Sequence, residues 1–149
     1  MNNLVKITPL LFILLLLSIK GYATHNRAGE ITYEQVGELT YKITITTFTY
    51  TLSPADRDEL TAEWGDGTFS TAERYQEIFL ADYYKKNLYS ATHTFPGPGV
   101  YEIVVEDPNR NEGVLNIPNS VQTVFAIKTT LKIDPSTGYN NTPKLLTQP

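Results

Sequence analysis

The chain of 149 residues contains no cysteine. Disulfides, thiolate metal sites and a cysteine nucleophile are therefore excluded, as is lipid attachment at a processed N-terminal cysteine. Any fold must be held by its core alone. Imidazole is scarce as well: His25 and His93 are the only histidines. Zinc needs more ligands than that, and no His-Glu-x-x-His or comparable cluster occurs. Lysine and arginine form no run beyond Lys85-Lys86. A nucleic acid or an anionic membrane surface would need a concentrated positive face, which is missing. There is no Gly-x-Ser-x-Gly elbow and no glycine loop of the phosphate-cradling kind. The longest apolar run, Leu10 to Ile19, falls well short of the ~20 residues that span a bilayer.

That short run does fit another pattern. It follows "MNNLVK" and precedes "GYA", giving a charged start, an apolar middle and an exit of small residues. This order predicts a secretory signal peptide over residues 1–23, cleaved after Ala23; the competing reading is an N-terminal membrane anchor. Cleavage would remove Lys6 and Lys20 and leave ten basic against sixteen acidic residues. The mature chain would then be acidic and exported, with no membrane insertion after the signal is removed. Its length suits one domain.

Most of that domain reads as strands. In "ELTYKITI" Leu39, Tyr41, Ile43 and Ile45 alternate with polar residues, and Ile31 and Tyr33 keep the same rhythm before a turn at Val36-Gly37. Period-two alternation is what a strand with one buried face requires. After Ile45 the pattern slips through Thr46 and Thr47, which suggests a bulge or a strand passing between sheets. Residues 52–59 read as a loop or one short helical turn capped by Ser53. "LTAEW" alternates again. Residues 70–87 stay open: Tyr75, Phe79 and Tyr83 have helical spacing, yet strands fit as well. Strands follow at 88–95 and 100–106, broken by "PGPG". Residues 120–134 form the best long strand, or a pair with a kink. From residue 135 to 149 periodicity is lost, and this tail reads as a linker. Many short strands with turns between them predict an all-β sandwich over residues 24–134.

The most conspicuous motif is "WGDGT", Trp64 to Thr68. Asp66 between Gly65 and Gly67 suits a tight turn, because the glycines permit backbone angles closed to other residues. The alternative is a calcium ligand. Calcium takes six to eight oxygens, and Asp56, Asp58 and Glu59 nearby lack the spacing of a calcium loop. Weak calcium binding at the loops is thus the sole cofactor reading, and no resident cofactor or metal is assigned. His93 sits in a strand, where a half-buried structural role competes with a ligand role. Tyrosines cluster in the second half, and Tyr83 and Tyr84 are candidates for stacking on sugar or peptide; packing is the competing reading.

"WGDGT" followed by "HTFPGPGVYEIVVED" (93–107) resembles the signature of PKD domains, the polycystic-kidney-disease type of immunoglobulin-like sandwich. The matching positions are Trp64, Gly65, Asp66, Gly67, His93, Phe95, Gly99, Tyr101 and Asp107. The segment 70–87 has no counterpart in that pattern. The start "THNRAGEITYEQVGELTYKITITTFT" is similar to the N-terminal region of large secreted surface proteins of gliding Bacteroidota, and "GYNNTPKLLTQP" to the linkers between their modules. The resemblance implies a PKD-like sandwich of about seven to nine strands without catalytic residues. It also implies a place at the cell surface, with surface proteins or polysaccharide as partners, and gliding-motility-associated adhesion, spacing or protein contact as the role. In that light the Gly-Asp-Gly turn is a fold marker, with Trp64, His93, Phe95 and Tyr101 bracing the sandwich.

Overall fold

The structure is a computed structural model, and the residues it describes are 26–108 and 110–143. The expected signal peptide and His25 lie outside the described residues. The described chain is all-β, with strands β1 (Asn26–Gln35), β2 (Thr40–Tyr50), β3 (Glu59–Glu63), β4 (Phe69–Phe79), β5 (Tyr84–Thr94), β6 (Gly99–Asp107) and β7 (Phe125–Ile133). They form one antiparallel sheet in the order β1-β2-β5-β4-β3-β6-β7. The sheet curls into a sandwich that is nearly a barrel, so its two edge strands approach each other. A Cβ added to Gly29 in β1 would lie 2.7 Å from the Thr46 carbonyl of β2 and 3.0 Å from the Phe125 ring of β7. Asn26 also bridges to Arg110.

The alternation in the sequence becomes the core. Tyr41, Ile43 and Ile45 of β2 point inward with Tyr89 of β5, Ala62 of β3, Ile103 and Val105 of β6 and Leu131 of β7. β2 and β5 are the central pair and stay in register from Thr40↔Thr94 to Tyr50↔Tyr84. The slip after Ile45 is therefore not a bulge in β2 or a change of sheet. The inward phase continues through Thr47 and Thr49, both buried. What changes is the chemistry of the inward residue, from isoleucine to threonine. The bulge lies across the ladder in β1, where Asn26 pairs Thr49 and Ala28 pairs Phe48, leaving Arg27 as the extra residue.

The open segment 70–87 is a hairpin of β4 and β5, not a helix. Its turn, Ala81 to Tyr84, has positive φ at both central residues, Asp82 (57°) and Tyr83 (60°). Tyr84 N donates to Ala81 O at 3.2 Å. This is the primed turn that matches strand twist, here without the usual glycine or asparagine at Tyr83. The helical spacing of Tyr75, Phe79 and Tyr83 is overridden by pairing with β5. Residues 52–58 form a loop, with Ser53 Oγ accepting from Ala55 N at 3.3 Å, and Glu59 already belongs to β3. In the segment 120–134, Ser120–Gln122 is a single 3₁₀ turn and the strand starts at Phe125. Arg110 holds the intervening backbone, donating to Thr123 O at 3.2 Å and Val124 O at 2.9 Å.

Residues 134–143, beyond β7, form no strand of their own, but they are tied down. Thr142 N donates to Tyr33 O at 3.0 Å, and Tyr33 N donates to Thr142 Oγ1 at 2.9 Å. Asn140 reaches both sides, taking its amide to Gln35 Oε1 at 3.0 Å and its side chain to Lys132 O at 2.6 Å.

Candidate functional site

Eight of the nine motif residues meet at one end of the sheet. Trp64 follows β3 and is fully buried. Its indole N–H donates to Ser70 Oγ at 2.8 Å, so the buried donor is satisfied. Trp64 N closes the turn onto Thr68 O at 3.1 Å. The turn depends on Gly65: its φ is 75°, and a Cβ there would lie 2.7 Å from the backbone of Glu102 in β6. Gly67 also has positive φ, 87°, but faces open space.

The turn carries Asp66 to the imidazole of His93 in β5. Asp66 Oδ2 and His93 Nε2 are 2.7 Å apart. Asp66 Oδ1 accepts from Thr68 N at 3.0 Å and from Thr68 Oγ1 at 2.6 Å. Burial opposes ionisation of this carboxyl, but the bonds from Thr68 and His93 outweigh it and hold its pKa down at about 2. The Asp66 side chain is only 6% exposed. Above it, the His93 ring stacks on Trp64 with centroids 4.7 Å apart and planes 20° apart. Phe95 packs edge-on against His93 and Trp64 and tilts onto Tyr101 at 4.4 Å. Tyr101 OH donates back to Gly97 O at 2.9 Å. Gly99 makes room for that ring, because a Cβ there would press on it at 3.3 Å.

Thr68, His93 and Asp66 have the residue types of a nucleophile, a base and an orienting acid. Their geometry is different. In a relay the acid and the nucleophile use opposite nitrogens of the imidazole. Here Asp66 and Thr68 Oγ1, the latter at 3.5 Å, share the same nitrogen, Nε2. The arrangement clamps the turn to β5.

Asp107 stands apart from the other motif residues, at the far end of β6. Its side chain is 1% exposed and pairs with Arg57 Nε. That end also holds a cluster that sequence reasoning missed. Lys85, buried in β5, donates to Asp56 Oδ2 at 2.8 Å and to Glu77. Arg74 of β4 meets Asp56 at 2.7 Å, Glu77 at 2.9 Å and also Asp58. Asn87 below them bonds Thr49 Oγ1 at 2.8 Å. Burial opposes the Asp56 charge, yet Arg74 and Lys85 outweigh it and hold its pKa down at about 2. Of the carboxylates weighed for calcium, Asp56 and Asp58 are thus engaged by cations of the same chain. No group of three or more metal-ligating side chains is assembled among the described residues. The phase of β5 was the available signal: Lys85 is in step with the inward-facing Asn87, Tyr89 and Ala91.

Tyr83 and Tyr84 are adjacent but not equivalent. Tyr83 lies at the turn tip and is 65% exposed. Tyr84 is covered by Arg27, whose guanidinium lies 5.3 Å from the ring and donates to its hydroxyl at 2.6 Å. Tyr50 contacts both, edge-on to Tyr83 at 6.4 Å and tilted to Tyr84 at 5.7 Å. The two candidate rings therefore do not form one flat platform.

Compared with protein-family models, with curated proteins and with solved structures, the chain matches none.

Proposed function

We propose that the domain is a non-catalytic, immunoglobulin-like module of the PKD type, exported and displayed at a cell surface, where it serves adhesion, spacing or protein contact. Association with gliding motility belongs to the same proposal. The observation that carries it is the bracing role of the motif. Its one imidazole and its turn carboxylate are bonded to each other and packed under aromatic rings.

Three further features support the immunoglobulin-like assignment. In a constant-type immunoglobulin domain, strands A, B, E and D form one sheet and C, F and G the other. Lettered in chain order, the strands here run A-B-E-D-C-F-G, the same two groups joined through the β3–β4 hairpin. The buried Trp64 ends strand C, where that fold places its tryptophan. Tyr101 near the start of strand F bonds the backbone four residues upstream, the arrangement of a tyrosine corner. The missing cysteine pair leaves the inter-sheet disulfide out.

The test is surface labelling. An antibody against residues 24–143 should stain intact cells and detect protein in surface and culture fractions. Staining only after lysis would remove the proposal. A second reading, polysaccharide binding, is favoured by the open ring of Tyr83. A glycan array read with wild type and Tyr83→Ala decides it: binding that falls with the substitution supports a sugar site, and no binding removes it.

A further inference from the structure

The open edge of β4 is the feature that the bracing motif does not explain. On the side away from β5, β4 pairs with β3 from Phe69 to Glu73. Arg74 N then donates to Asp58 O at 2.8 Å. From Tyr75 to Phe79 no described segment pairs with β4 on that side. This is a length of about 17 Å at the usual rise per residue. Which amides face out follows from the hairpin. Leu80 N donates to Tyr84 O at 2.8 Å, and alternate residues of an antiparallel ladder bond across. The amides of Glu77 and Phe79 therefore point away from β5.

Exposed edges are normally guarded by lysine or another charge on the edge, by proline, by an inward-pointing charge or by a bulge. Residues 75–79, "YQEIF", hold neither lysine nor proline. The one charge in this stretch, Glu77, points inward but is neutralised there by Arg74 and Lys85. A bulge at Tyr75 leaves Gln76 to Phe79 regular. Tyr75 is 57% and Phe79 72% exposed. The rim is acidic: Glu59 and Glu73 face each other across the β3–β4 register, and neither has an ion-pair partner among the described residues. The turn residue Asp82 extends that rim, whereas Asp58 is already paired with Arg74.

We propose that the β4 edge, Tyr75–Phe79, receives an extended segment of a different protein by strand addition, and that this segment alternates apolar residues with lysine or arginine. Backbone pairing supplies affinity, and Ile78, Phe79 and Tyr75 supply apolar contact. The acidic rim selects a basic partner and disfavours a second copy of this chain. In an antiparallel self-pairing centred on Glu77, Glu73 of each copy would come against the Asp82 turn of the other. The inference rests on reading the domain as a contact module and gives that contact a surface.

The test uses a short synthetic peptide of alternating lysine and valine, a glutamate–valine counterpart, and a lysine–valine peptide interrupted by proline. Only the first should bind, and raising the salt should weaken it. Amide exchange at Glu77 and Phe79 should slow in the complex. Phe79→Pro removes an outward amide without touching the β5 ladder, and it should weaken binding roughly tenfold or more, the range of a lost anchor. Equal binding of the proline-interrupted peptide, unchanged exchange at 75–79, or no binding by any peptide would overturn the proposal. So would sedimentation of the protein alone as a dimer that Phe79→Pro dissociates. Failure here with surface staining intact removes the edge as the contact and leaves the contact module standing.

Discussion

At one end of the sheet Trp64, His93, Phe95 and Tyr101 stack around a tight turn. At the other, Arg74 and Lys85 are held among Asp56, Asp58 and Glu77, above a floor of Asn87 and Thr49. Both ends connect β3, β4 and β5, and both place a carboxylate whose pKa lies near 2. They differ in what replaces water. The first end buries rings, so its stability comes from area and shape. The second pairs charges that are partly solvated, and desolvation offsets much of the attraction. The aromatic end should therefore dominate stability, while the ionic end fixes which strands meet.

The strongest challenge to that ranking is Trp64→Ala. Loss of a buried tryptophan should cost ~3–5 kcal/mol, read from urea denaturation; a loss no larger than that of Lys85→Met would invert the comparison. Next comes Gly65→Ala. Its Cβ would meet the Glu102 backbone while adopting a left-handed conformation, for a cost above ~2 kcal/mol. Gly67→Ala bears only the conformational part, about 1 kcal/mol. If the two glycine variants melt together, the close approach of the turn to β6 is not what matters. Lys85→Met leaves Arg74 to compensate both Asp56 and Glu77 and should cost about 2 kcal/mol, less than breaking a fully buried pair because both carboxylates are partly wet. The last effect is acid sensitivity, which is spread over several pH units. Asp56 and Asp66 titrate near 2 when folded and near 3.9 when unfolded. The unfolded chain binds more protons between those values, so stability is full above about pH 5 and falls as pH drops toward 2. Asp66→Asn and Asp56→Asn should each flatten that fall in an acid titration followed by circular dichroism.

The same contrast explains what was legible in the sequence. The aromatic end announces itself, because a turn with two glycines is local and the residues packed on it fall in alternating strands. Strand phase also gave the core, from Tyr41 and Ile43 to Ile103 and Leu131. The ionic end was hidden because its partners come from a loop and two strands, and no local pattern links Asp56 to Lys85. Residues 70–87 were ambiguous for a related reason. The spacing of Tyr75, Phe79 and Tyr83 satisfies a helix, and only pairing with β2 through β5 decides against it. Thr47 and Thr49 misled in the opposite sense: a polar residue at an inward position looked like a change of register. The exposed β4 edge could not be seen at all, since it exists only because β3 is short.

The bond between Tyr33 and Thr142 joins residues 109 positions apart. A chain emerging from its N-terminus therefore makes β1 long before the segment that pairs with its outer side. Until residues 141 and 142 emerge, the backbone N–H groups of Tyr33 and Gln35 lack the bonds they make in the folded domain. Pairings this distant form slowly, because the loop must close before any contact repays it. The domain is thus exposed to mispairing until residue 142 arrives, and a chain cut just after β7 would hold every strand with that seam unsealed.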